Sequence, residues 1–198
     1  MENAAQRILS KNVSKVVDEN GEPLVVWHHT NNKFDTFKTE YQQYNEFYFT
    51  TSKSDEYIYF PAKAYTKIHM PVYLNIKNPK YAVKEDTRVY NSFADANDAD
   101  NAYEKMSRTW NNEDIERYND AVSKSIKGEQ LSLEPVPKST VEHYKTYMDG
   151  FMRLWKNGER FFATFNSTQI KHVENLGTFD PNNINIYYLK NIDVQNVP

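Results

Sequence analysis

The chain has 198 residues, of which 39% are hydrophobic and 26% charged, so one modest domain with a folded core is within reach. A net charge of −3 argues against a partner held by a general basic field, nucleic acid above all. With no cysteine, disulfides, thiolate nucleophiles and Cys-bound zinc are excluded, and 15 Tyr and 11 Phe point to a core rich in aromatics.

Residues 3–9 have the pattern of a short helix, and residues 1–20 lack the apolar core of a signal peptide. Ser14–Val17 and Leu24–Trp27 flank Asp18-Glu19-Asn20-Gly21-Glu22-Pro23, a hairpin signal because Asn-Gly tolerates the positive φ of a tight turn. The apolar run Leu24–Trp27 ends in His28, His29 and Thr30, which places imidazoles where a buried strand meets a loop. Residues 31–45 read as a polar loop anchored by Phe34 and Phe37, and Phe47–Thr51 as a second strand. Ser52 or Ser54 can cap a helix that Pro61 ends, and Met70–Ile76 is a further strand closed by Asn78-Pro79.

Residues 84–148 are polar and helix-like. Ala99, Ala102, Tyr103, Met106 and Trp110 share one helical face, and Ile115, Tyr118, Val122 and Ile126 share another. Ser139-Thr140-Val141-Glu142 matches a capping box. Gly150 then stops the last helix, and Phe151–Trp155 and Arg160–Phe165 flank Lys156-Asn157-Gly158-Glu159, the strongest hairpin signal in the chain. Gln169–Val173 and Ile184–Leu189 are short strand candidates. The expectation is a single α+β domain, residues 1–198, whose mostly antiparallel core is split by a helical insertion at 84–148.

The remaining polar residues form no recognisable site. His143 and His172 lack metal-ligand spacing and are expected to face solvent; Arg153 and Arg160 are candidate phosphate contacts, with a solvated hairpin surface the preferred reading; His69 has no evident partner. Asp95, Asp98 and Asp100 lack the glycine and terminal Glu of a calcium loop. No metal is expected. No apolar run approaches membrane-spanning length, so a cytoplasmic protein is expected.

The stretch Val16–Thr30, with its His28-His29-Thr30 ending, resembles the opening of ADP-ribosyltransferase-like domains, above all those of phage and mobile-element polyvalent proteins, where Tyr-His-Gly-Thr is usual. Asp149-Gly150-Phe151, Phe162–Lys171 and Gly177–Asn183 resemble the closing stretch of the same family. Glu46-Phe47-Tyr48-Phe49 followed by Ser52-Lys53-Ser54-Asp55-Glu56-Tyr57 is more distantly similar to the His-Tyr-Glu branch of poly(ADP-ribose) polymerases and diphtheria toxin.

That resemblance implies a split antiparallel β-sheet around an NAD cleft, and transfer of ADP-ribose to a protein or nucleic-acid target. His28 would hold a ribose hydroxyl, and the backbone of His29, which stands where the family has glycine, would meet the carboxamide. Tyr48 and Tyr57 would sandwich the nicotinamide or simply pack in the core. Ser54 would bind the carboxamide or cap its helix, Thr30 would hold the adenosine side or finish its strand, and Gln169 would orient the substrate. The family's catalytic Glu aligns with Phe161. Glu159, on the same side of the strand but ~7 Å away, is the carboxylate left to serve. Two outcomes stay open: a mono-ADP-ribosyltransferase with a divergent site, or an inactive relative kept as a binding module. The insertion would be a lid or target-recognition element.

Overall fold

The computed structural model describes residues 14–38, 45–53, 68–83, 87–131, 137–154, 158–175 and 179–187. Seven strands are β1 (Val26–Thr30), β2 (Phe47–Thr50), β3 (Ile68–Leu74), β4 (Pro79–Val83), β5 (Gly150–Leu154), β6 (Arg160–Thr164) and β7 (Ile170–His172). They form one sheet in the order β4-β5-β6-β2-β1-β3-β7. All neighbours are antiparallel except β4 and β5. The helices α1 (Phe93–Thr109), α2 (Asn112–Ser123) and α3 (Lys138–Tyr144) lie between β4 and β5 in the chain. This is the α+β architecture with a helical insertion that the sequence implied.

Strand alternation sorts the apolar residues onto two faces. Val26, Phe47, Phe49, Met70, Val72, Leu74, Met152, Phe162 and Ile170 join Val16, Phe37 and Ile186 in one core. Phe151 and Ala163, on the opposite face, pack with Phe165 against Val141, Tyr144 and Met148 of the α3 region. The third cluster joins Val83 and Tyr90 to Ala96, Ala99 and Ala102 of α1 and Ala121 of α2. The small residues bring the helices close to the end strand.

β4 was not anticipated. Its first residue is Pro79, tolerated there because that position need not donate to the ladder. Its partner β5 lies some 70 residues away in the chain, beyond any local signal. Ser92 and Asn111 cap α1 and α2 by accepting from the amides of Asp95 and Asp114. The expected capping box at Ser139 is absent: α3 starts two residues earlier than that cap would place it, behind Pro137, with no side-chain cap. Gly150 opens β5 rather than stopping a helix. Residues 184–187 contribute a single bridge, Thr36 to Asn185, in place of the described part of the expected edge strand.

Three exposure expectations are corrected. Tyr103 and Trp110 are exposed at 41% and 69%; Trp110 caps α1 in a left-handed conformation that turns it off the buried face. Arg153 is buried because its strand parity matches Phe151 and points it under the covered face. His172 is buried on β7, against the Tyr187 ring. The helices expected at 3–9 and after Ser52 lie outside the described residues. Among the described residues no helix is long and apolar enough to cross a membrane.

Candidate functional site

The sheet is weakest between β1 and β2, where a single register pair, Trp27 to Thr50, joins the strands. On their other sides both strands are fully engaged: β1 pairs with β3 over five positions and β2 with β6 over four. The sheet therefore opens along one line, next to the end of the first motif.

The register determines what faces this opening. Val173 donates to the carbonyl of Pro71, so the backbone of Pro71 points towards β7 and the missing proline N–H costs β1 nothing. Trp27–Pro71 is thus a non-hydrogen-bonded pair. The alternation makes His28–Met70 hydrogen-bonded and His29–His69 non-hydrogen-bonded. It follows that the backbone N–H and C=O of His29 are turned away from β3, towards β2. On the facing strand, Thr51 donates to Arg160, which assigns Phe49 and Phe47 to β6 and turns the Tyr48 carbonyl towards β1.

His28 spans the gap. Its Nδ1 lies 2.9 Å from the Tyr48 carbonyl oxygen, and a carbonyl only accepts, so Nδ1 carries the proton. Phe34, Phe37 and Phe49 pack around the ring at centroid distances of 5.8, 4.8 and 5.5 Å. Burial among these rings lowers the imidazole pKa to about 4, against the favourable pull of the Tyr48 carbonyl. At neutral pH His28 is uncharged, and its Nε2 is a lone-pair acceptor.

His29 points to the opposite face. Its Nε2 is 3.1 Å from both the Ser52 carbonyl and the Thr50 hydroxyl, and the Thr50 hydroxyl itself donates to Ser52. Its Nδ1 is 2.9 Å from Nδ1 of His69, directly across the strand pair. His69 therefore has a partner that no local spacing could reveal.

On the same face as His29, the Tyr48 ring contacts the Phe161 ring at 5.4 Å, and its hydroxyl donates to the Glu46 carboxylate. Glu46 is 2% exposed, and burial raises its pKa against the opposing influence of the Tyr48 hydroxyl and Arg153. Arg153 lies opposite Phe161 in the β5–β6 ladder. Glu46 is the acidic group beside Tyr48; its alternation with Tyr48 and Thr50 was the available signal.

The other candidates divide. Thr30 exchanges hydrogen bonds with the Asn32 backbone and ends the strand. Glu159 is half-buried one residue before β6. Gln169 is fully engaged: its Oε1 accepts from the amides of Phe165 and Asn166, and its Nε2 donates to the carbonyls of Asn75 and Asp149. With two bonds at each end, all to backbone groups, its amide ties this corner of the fold together. Ser54 and Tyr57 lie outside the described residues.

A family profile described as ADP-ribosyltransferase in polyvalent proteins matches residues 18–179. The chain belongs to this ADP-ribosyltransferase family. No curated protein and no solved structure matches it. The family match runs across the strands and the helical segment between β4 and β5. For an ADP-ribosyltransferase-like domain, a sheet that opens beside the first-motif histidine is the feature to build on.

Proposed function

We propose that this domain binds NAD in the opening between β1 and β2 and transfers its ADP-ribose to a protein or nucleic-acid target. The observation that carries this reading is the convergence on one opening of three groups: the backbone edge of His29, the Tyr48 carbonyl, and the imidazole that bridges to it. The His29 amide and carbonyl suit a carboxamide, which needs one donor and one acceptor. The neutral Nε2 of His28 suits a ribose hydroxyl, which donates to it, and brings no positive charge towards a cationic nicotinamide. Tyr48 and, by family resemblance, Tyr57 and Ser54 complete the nicotinamide side. In the reaction the bond between ribose C1′ and the pyridinium nitrogen breaks, its electron pair leaves with neutral nicotinamide, and the target nucleophile bonds to C1′ as it loses a proton. Glu159 is the hairpin carboxylate on the face of Tyr48 and Phe161, opposite the His28 ring, so it would meet a ribose held by His28 from the far side of the opening.

A second reading, a domain that holds NAD without transfer, is supported by one specific observation. The position aligned with the catalytic Glu is an aromatic packed on Tyr48, and the residue opposite it is a buried guanidinium. A cation there opposes the charge that develops on the ribose.

Released nicotinamide and adenine-labelled target, measured after incubation with NAD, decide between them. Turnover that falls at least tenfold in His28→Ala supports transfer. Saturable NAD binding that weakens in the same variant, without turnover, supports the binding module. Absence of binding at millimolar NAD overturns both.

A further inference from the structure

We propose that His29 and His69 form a two-imidazole site for a divalent d-block cation on the face of the sheet next to the opening. The two residues are direct partners in the β1–β3 ladder, at a non-hydrogen-bonded pair, where cross-strand side chains approach most closely. Their rings are held at 78° to one another with centroids 5.0 Å apart and Nδ1 atoms 2.9 Å apart.

The surroundings of His29 prepare it as a ligand. Its Nε2 meets the Ser52 carbonyl, an obligate acceptor, so that nitrogen carries the hydrogen and Nδ1 carries the lone pair. A second-ring N–H anchored on a backbone carbonyl is the arrangement that orients metal-binding histidines and raises their basicity. In the metal-free state the proton between the two Nδ1 atoms belongs to His69, which donates it to His29. Metal binding replaces that proton: two nitrogen–metal bonds form and one proton leaves to solvent.

Geometry selects the ion. Two nitrogens 2.9 Å apart, each about 2.05 Å from a metal, subtend an N–M–N angle of about 90°. That is the cis angle of a tetragonal or octahedral ion; a tetrahedral site needs the nitrogens about 0.4 Å further apart. With imidazole ligands and no thiolate, copper(II) is expected to bind more tightly than nickel(II) or zinc. Among the described residues no group of three or more His, Cys, Asp or Glu side chains converges, so of these residues the two imidazoles are the ligands proposed, with water or a bound molecule at further positions.

The test titrates the full chain with copper(II) and with nickel(II). The expected result is one equivalent bound, copper tighter than nickel, with electron paramagnetic resonance showing two equatorial imidazole nitrogens on copper. His69→Ala should weaken binding at least tenfold and remove one nitrogen from the spectrum, while His143→Ala leaves both unchanged. His69→Gln, which keeps a polar side chain of similar reach, should lose the metal and retain the thermal midpoint of the metal-free protein. Unchanged affinity in both His69 variants, or a copper spectrum without two imidazoles, overturns the proposal. Because NAD is absent throughout, the result is independent of whether the opening binds a nucleotide.

Discussion

The two ends of the candidate cleft differ in kind. The β1–β2 end is polar: an imidazole with an assigned proton, a carbonyl facing it and a strand edge turned into the gap. At the β6 end, where a carboxylate belongs in the family, an apolar ring packs on another ring, across from a buried arginine. On the proposed reading, binding and bond cleavage are separable: the groups proposed to hold NAD are a backbone edge and one fixed ring, whereas the charge for cleavage depends on a single side chain.

The largest effect should come from the polar end, and from pH. His28 falls from the ordinary 6.5 to about 4 in the folded protein. The unfolded chain therefore binds a proton at a pH where the folded one does not. The associated stability is present above about pH 6.5 and is lost as pH falls to about 4, by roughly 3 kcal/mol. Chemical denaturation followed between pH 7 and pH 4 measures this. His28→Asn, which cannot titrate, should flatten the slope; an unchanged slope would place the ring in a wetter site than its three phenylalanine neighbours provide.

Next in size is Gln169→Ala, which removes four hydrogen bonds to backbone groups that tie β7 to the β3 end and the start of β5. A loss of roughly 2–3 kcal/mol in unfolding free energy is expected, since partly buried amides and carbonyls are left without partners. NAD affinity should change less than twofold. A large affinity loss with little loss of stability would instead put Gln169 in contact with substrate. Gly150→Ala probes the same corner. A Cβ there would lie 2.6 Å from the Ala163 carbonyl oxygen and 2.9 Å from Ile76 Cδ1. Backbone cannot yield as a side-chain tip does, so a cost of about 2 kcal/mol is expected, read as a lower denaturation midpoint.

These residues also show where the sequence is legible. Apolar runs and turn signals placed the ends of β2, β3, β5 and β6 within two residues and those of β1 within three. The phenylalanine anchors at 34 and 37 were legible too, and they pack around His28. What was hidden depends on distant pairing. The His29–His69 contact, the burial of Arg153 and the β4–β5 pairing all follow from ladder registers between segments far apart in the chain. Gln169 was visible as a family residue, but its bonding to Asn75 and Asp149 required the folded corner. Trp110 shows the opposite failure. Helical periodicity assigned it to the buried face, and a left-handed cap took it to solvent.

The sharpest probe of the contrast is the smallest in energy, Phe161→Glu. The ring at 161 is half-buried and contacts Tyr48, so its loss should cost about 1 kcal/mol of stability. The new carboxylate would sit across the ladder from Arg153, whose positive charge favours its ionised form. An ionised group is what a cationic transition state requires. If the β1–β2 end binds NAD as proposed, nicotinamide release should rise at least tenfold, equivalent to about 1.4 kcal/mol of barrier. Adding His28→Ala should abolish the gain. A rise that survives His28→Ala would mean that the carboxylate acts without the polar end. No rise in a folded, NAD-binding variant would mean that position 161 lies too far from the ribose, and that Glu159 or no carboxylate at all completes the site.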